Sequence, residues 1–179
     1  MINMIRSIKL TLSEVKSNPG IKSKLVVLLY RLASLHAKRV VIFYPVTLLF
    51  VLMHKFFNEF IFGVEISYRT RIGNGFVIWH AYSVIINSGC VIGNNFNIRQ
   101  CCTVGGNKLP YPKHFIIGNN VSMGVNSCIL GDEIEIGHNV IIGAGAIAMS
   151  NIADNHYVIA HKPLIKTRGY GQEITTSIT

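Results

Sequence analysis

Beyond Gly63 the chain repeats itself every six residues. Aliphatic side chains stand at Ile66, Ile72, Ile78 and Val84, continue in a shifted phase at Ile86, Ile92, Ile98 and Val104, and recur at Ile117, Met123 and Ile129, then at Ile136 and Ile142. Glycine often follows the aliphatic residue, as in IGNGF, IGNNF, IGNNV, MGVNS, IGHNV and IGAGA. Self-similarity at a short fixed period indicates a parallel β-helix, in which each repeat forms one flat side and three repeats close a coil. The aliphatic points inward and stacks on its counterpart one coil away, while Gly and Asn permit tight corners. Two departures from the period stand out. GGNKLPYPKHF, residues 105–115, holds two prolines and no inward aliphatic, so it reads as a loop extruded from the coil. Seven residues instead of six lead from Ile129 to Ile136, which predicts a bulge.

Up to Gly63 the pattern is helical. MIRSIKLTLSEVKSNPG reads as a helix stopped at Asn18-Pro19-Gly20, a second helix follows through IKSKLVVLLYRLASLHAKR, and Pro45 opens a third through PVTLLFVLMHKFFNEF. The uncharged stretch from Val40 to Met53 is too short to span a bilayer, so it reads as a buried or an interfacial helix. The net charge of +9 is concentrated here, with residues 1–62 holding nine Lys or Arg against Glu14 and Glu59. Such a basic segment suits a polyanionic partner, or simply a solvated face. No nucleic-acid recognition motif accompanies it, and the basic residues lie among apolar ones, as on an interfacial helix. The segment is expected to cap the coil, join subunits or touch a membrane surface. The boundaries expected are 1–62 for the helical segment, 63–170 for the β-helix and 171–179 for a tail. Cys90, Cys101, Cys102 and Cys128 form no CxxC pair and no metal-ligand spacing, and the first residues lack the pattern of a cleavable signal. Reduced thiols, no metal and a cytoplasmic location are therefore expected.

The ordered set GVEI, IGNGFVIWHA, QCCTVGG, KHFIIGNNVSMGVNSCILG and IGAGA resembles the hexapeptide-repeat acyltransferases, left-handed β-helices that work as trimers and use acetyl-CoA. Within that family, residues 65 to about 166 are similar to the serine acetyltransferases and their relatives in capsule, colanic acid and lipopolysaccharide clusters. The resemblance implies that His80 is a general base, that Glu65 orients it, and that His114 in the extruded loop is a second active-site histidine. It places Gln100, Thr103, Gly105 and Gly106 in the stretch leading into that loop, with Gln100 on the acceptor side. It places Gly124, Gly143, Ala144, Gly145, Ala146 and Pro163 along the CoA arm, and Lys108 and Lys166 near its phosphates. One position departs from the pattern: where the serine enzymes carry Asp directly before the catalytic His, this chain has Trp79. Trp79 then either packs at a subunit boundary or contacts the acceptor.

The chemistry is consistent with those residue types. Acetyl transfer from a thioester to a hydroxyl needs a base for the hydroxyl proton and a donor for the developing oxyanion, and neutral imidazole suits the first task. A carboxylate on the other ring nitrogen would fix the tautomer. The expected activity is an O-acetyltransferase acting on a surface-polysaccharide sugar or its lipid-linked precursor. Serine O-acetyltransferase is the alternative within enzymes, and a trimeric scaffold or a metal protein using His80, His114 and His138 the alternative outside them. In its corner, IGHNV, His138 reads as structural.

Overall fold

The computed structural model describes residues 2–37, 44–106 and 115–162. Three helices come first: α1 (Ile2–Ser17), α2 (Gly20–Ala37) and α3 (Tyr44–His54), the last running on into a π-helical turn at Lys55–Ile61. Gly63, at φ +63°, takes the left-handed conformation that ends a helix cheaply, and the coil starts at the next residue.

Strands then follow three to a coil. The first coil is β1 (Val64–Ile66), β2 (Arg71–Ile72) and β3 (Val77–Ile78); the second is β4 (Val84–Ile86), β5 (Cys90–Ile92) and β6 (Asn97–Ile98). The third is β7 (Thr103–Gly105), β8 (Phe115–Ile117) and β9 (Ser122–Met123), and the fourth β10 (Cys128–Leu130), β11 (Ile134–Ile136) and β12 (Ile141–Ile142). β13 (Ile147–Ala148) and β14 (Tyr157–Val158) complete the described part. They form three parallel sheets, in the orders β1-β4-β7-β10-β13, β2-β5-β8-β11 and β3-β6-β9-β12-β14.

The six-residue period becomes three aliphatic columns. Ile66, Ile86, Val104, Ile129 and Ala148 are in register along the first sheet. Ile72, Ile92, Ile117 and Ile136 follow the second, and Ile78, Ile98, Met123, Ile142 and Val158 the third. Full burial of one such side chain is worth about 1.5–3 kcal/mol, so the columns carry the cohesion of the coil. Corners are fixed by a ladder of left-handed asparagines, Asn95, Asn120, Asn139 and Asn155, each amide bonding the next at 2.8–2.9 Å.

Register shows where the period breaks. Cys90 pairs with Phe115 and Thr103 with Cys128, so the coil keeps its register on both sides of residues 107–114, and the loop expected there lies outside the described residues. Two residues that the sequence assigns to the loop belong to strands: Gly105 closes β7, and Phe115 opens β8 with its ring in the core. The extra residue expected after Ile129 is present: seven residues lead from Ile129 to Ile136, where six lead from Ile86 to Ile92 in the same columns. A further break is the corner between β3 and β4. Eight residues lead from Val77 to Ile85, where six lead from Asn97 to Thr103. That longer corner carries Trp79, His80, Ala81, Tyr82 and Ser83.

The helices cover the exposed edge of the first coil, whose backbone groups have no preceding coil to pair with. The Phe76 N–H donates to Glu14 Oε1 and the Ile78 N–H to Asn18 Oδ1, both at 2.9 Å, while Asn18 Nδ2 donates to the Phe76 carbonyl at 2.9 Å. Arg31 donates to the carbonyls of Ile72 and Gly73 and pairs with the buried Glu14 at 2.6 Å. Tyr30 Oη donates to Thr70 at 2.7 Å, and burial pushes its phenol up to about 12. His54 donates from Nε2 to the Ile66 carbonyl and accepts at Nδ1 from Asn58 Nδ2, which fixes one neutral tautomer. Burial holds His54 below the usual imidazole range, against the backbone bond to Ile66.

Candidate active site

The lengthened corner determines what His80 can do. In the later coils the corresponding corners place Cys101, Asn126 and Gly145 in the left-handed region, just before the inward Cys102, Ser127 and Ala146. The first corner needs two such residues, His80 at φ +51° and Ser83 at φ +49°. A non-glycine residue held there is uncommon, although histidine tolerates it better than most. Between the two, Ala81 turns into the core and anchors the corner, which leaves the His80 ring exposed beside Trp79. The Trp79 N–H donates to Ile98 and the Cys101 N–H to Tyr82, so both ends of the corner are tied to the coil above.

Beside that corner, the outer face of the third sheet carries a groove of about 440 Å³. Trp79 lies at one end, and Gly124, Gly143 and Ala144 form part of its wall. Those are four of the residues the sequence nominated. Both glycines are required by the stacking: a Cβ at Gly124 would fall 2.5 Å from the Ala144 nitrogen, and one at Gly143 2.8 Å from the Val158 carbonyl. The absence of side chains there also leaves bare backbone facing the groove. Asn97, Arg99, Ser122 and Tyr157 line it too, and the Arg99 guanidinium sits 5.5 Å from the Trp79 ring centre. Sequence reading missed these four. Their signal was available, because each flanks an inward column residue of the third sheet and so points outward.

Other nominated residues are placed elsewhere. Gly105 and Gly106 do not line this groove. A Cβ on Gly105 would fall 2.8 Å from Asn87 Nδ2, and one on Gly106 would collide with the Gly131 carbonyl, so close packing explains both. Thr103 sits half-buried in β7 on the first sheet. Gly145 supplies a left-handed corner at φ +68°. Ala146 is a correction to the sequence reading: its methyl is buried in the core, so the side chain cannot line a ligand. Gln100, in the corner stacked on that of His80, keeps its Oε1 buried without a hydrogen-bond partner. His138 Nδ1 accepts from the Asn119 N–H at 2.9 Å, and the His138 backbone N–H donates to Asp154 Oδ1, a corner role as expected. His114, Lys108, Pro163 and Lys166 lie outside the described residues.

Glu65 occupies the middle of β1, exposed and in register with Ile85. No hydrogen bond or ion pair among the described residues joins it to His80. The charge it faces is that of Glu59, whose carboxyl is raised first by burial, with Lys55 opposing and Glu65 adding to the rise. The carboxylate–imidazole pair expected from the sequence is thus not formed in this conformation, in which both side chains are exposed.

No protein-family model matches the chain. It is 34% identical over 116 residues to a protein of Escherichia coli (strain K12) described as a colanic acid biosynthesis acetyltransferase, WcaB, covering 65% of this chain and 71% of that one. It is 37% identical over 94 residues to the serine acetyltransferase of Buchnera aphidicola subsp. Schizaphis graminum, covering 51% of this chain but 36% of that enzyme. Among solved structures, the soybean serine acetyltransferase apoenzyme superposes with a TM-score of 0.66 at 29% identity, over 77% of this chain and 55% of that one. The coil is therefore a left-handed β-helix, and the chain belongs to the serine acetyltransferase-like branch of the hexapeptide-repeat acyltransferases, as an acetyltransferase.

Proposed function

We propose that the protein moves acetyl from acetyl-CoA to a hydroxyl of a surface-polysaccharide sugar, of a capsule, exopolysaccharide or lipopolysaccharide, or of its lipid-linked precursor. The observation that carries the acceptor is Trp79. It stands directly before His80, where the serine enzymes have Asp, and it walls the groove with Arg99 over its ring. An indole face offers a sugar ring a flat apolar platform, whereas the carboxylate it replaces would hold an amino group. The similarity to a protein named for colanic acid biosynthesis, over most of that protein's length, supports the same acceptor class.

In this reading His80 takes the proton of the acceptor hydroxyl as its oxygen attacks the thioester carbonyl. The C–O bond forms, the C–S bond breaks, and the proton passes from the imidazolium to the departing CoA thiolate. No covalent enzyme intermediate is required. Glu65 is assigned the orienting role and His114 that of second active-site histidine. Glu65 and His80 are both exposed, so neither side chain is held away from the other by burial. The donor suits the groove chemically, since the amides of its extended arm find polar partners in Asn97, Ser122 and Tyr157 and bare backbone at Gly124 and Gly143. Lys108 and Lys166 are assigned to its phosphates, Pro163 to its adenine end, and Gln100 and Thr103 to the approach to the reacting centre. The working form in this reading is a homotrimer in the cytoplasm, with the basic N-terminal segment in peripheral contact with the inner face of the membrane. No helix of the described residues is long and apolar enough to cross one.

The test is free-thiol release from acetyl-CoA by the purified protein and by His80→Ala, with L-serine, simple sugars and a lipid-extracted polysaccharide precursor offered separately. We expect glycan-dependent turnover that falls about 10²–10⁴-fold in the variant, the range for losing a general base. Serine is the second reading, favoured by the likeness to the serine acetyltransferases. Turnover with serine alone would establish it and overturn the glycan.

A further inference from the structure

The third helix has its polarity reversed. Its inner face presents Thr47, Val51, His54 and Asn58 to the rest of the protein, at the spacing of one helical stripe, and three of these four buried side chains are polar. Their donors and ring nitrogens are paired, Thr47 with the Tyr44 carbonyl and His36, His54 with Ile66 and Asn58, and Asn58 Nδ2 with Val26 and His54, while Asn58 Oδ1 is buried without a partner. The opposite face carries Leu49, Leu52, Phe56 and Phe60, which are 52–79% exposed, with the rings of Phe56 and Phe60 stacked at 5.9 Å. Single exposed apolar residues need no explanation, but an unbroken stripe of them opposite a polar buried face does.

Charge identifies the occupant. Residues 1–62 hold nine Lys or Arg and two carboxylates. One of those, Glu14, is already neutralised by Arg31 in the interior, and Glu59 is half-buried, so among the described residues of this segment the exposed charges are lysines. Lys9, Lys16, Lys24 and Lys55 are exposed. A second copy seated on the same stripe would bring two such segments face to face and pay for it in like-charge repulsion. A sheet of anionic headgroups over an acyl interior complements both features at once: Leu and Phe enter the headgroup boundary while lysine ammonium groups remain in the headgroup layer.

We infer that the stripe Leu49, Leu52, Phe56 and Phe60 docks the protein on the surface of an anionic bilayer, with α3 and the π turn lying in the membrane plane. This deepens the peripheral-contact part of the proposed function and rests on that part, whoever the acceptor is. The docked face belongs to the helical segment and not to the groove, so the groove stays open to a soluble donor while an acceptor carried on a lipid is held nearby.

The experiment is co-sedimentation of the full chain with vesicles of equal parts phosphatidylglycerol and phosphatidylcholine, against vesicles of phosphatidylcholine alone. Light scattering for oligomeric state and acetyl transfer to a soluble acceptor are run in parallel, so that a failure of docking and a failure of the acetyltransferase reading are seen separately. We expect binding to the anionic vesicles, at least about tenfold weaker for Leu52→Glu/Phe60→Glu, with oligomeric state and soluble transfer unchanged. Should that variant fold poorly, Phe60→Trp in a Trp79→Phe background supplies the second readout, since brominated lipid then quenches the new indole. Equal binding by parent and variant, no binding to anionic vesicles, an unquenched indole, or a variant that breaks up the oligomer would each overturn the inference; the last would assign the stripe to a second copy.

Discussion

Removing the Arg31 guanidinium provides a direct test of how the helices hold the coil. Its side chain is 14% exposed and that of Glu14 3%, with 2.6 Å between Nη2 and Oε1. Arg31→Met keeps the aliphatic stem and takes away the cation, so it leaves a buried carboxylate whose remaining partner is the Phe76 N–H. It also deprives the Ile72 and Gly73 carbonyls of their donor. Breaking a buried pair by deleting one member costs about 3–5 kcal/mol, because the other charge stays uncompensated. For a domain of this size each kcal/mol moves the melting temperature by about 2–4 °C, which puts the expected fall at roughly 6–20 °C. Urea unfolding followed by circular dichroism gives the free energy directly. Adding Glu14→Gln to Arg31→Met should recover at least about 1 kcal/mol, since an amide leaves no charge behind while still accepting from Phe76. A loss under about 1 kcal/mol for Arg31→Met, with no recovery in the double variant, would refute the idea that this pair fastens the helices to the first coil.

Other outcomes follow from the same geometry. Trp79→Ala should raise the KM for a glycan acceptor while sparing that for acetyl-CoA, and equal changes in both would remove Trp79 from the acceptor side. His54 is neutral in the fold with its pKa held below the unfolded value, so its contribution is fully present above about pH 6.5 and is lost as pH falls through the lower folded pKa. Stability measured from pH 7.5 down to 5.5 should therefore drop more steeply for the parent than for His54→Gln. Gly118→Ala would put a Cβ 2.6 Å from the Gly137 carbonyl and should cost about 1–3 kcal/mol by urea unfolding. Burial pushes the Cys90 thiol up to about 12, so mass spectrometry after native alkylation near pH 8 should find Cys90 unmodified and the half-buried Cys101 labelled.

Much of this molecule was legible in one dimension, for a physical reason. In a solenoid each repeat contacts only its neighbours, so the pattern that closes a coil is written locally and again in every coil. Ile66, Ile72 and Ile78 therefore announced the three columns, the extra residue after Ile129 was visible as broken spacing, and Pro19 and Gly20 marked the first helix end. His80 was nominated the same way, from its place in the repeat and a resemblance, and its catalytic role stands as a proposal.

What only the tertiary structure decided lies across the chain instead of along it. Asn18 reads as a helix stop, yet its side chain serves Phe76 and Ile78, 58 and 60 residues away. Glu14 reads as one of two acids in a basic segment, yet it bonds Phe76 across 62 residues. Arg99 meets Trp79, and Gly124 meets Gly143, because stacking sets outward residues of successive coils side by side, a neighbourhood that no short window contains. The reversed polarity of α3 was hidden because sequence composition reports that a helix is apolar, while only packing against α2 and the first coil determines which of its faces is turned inward.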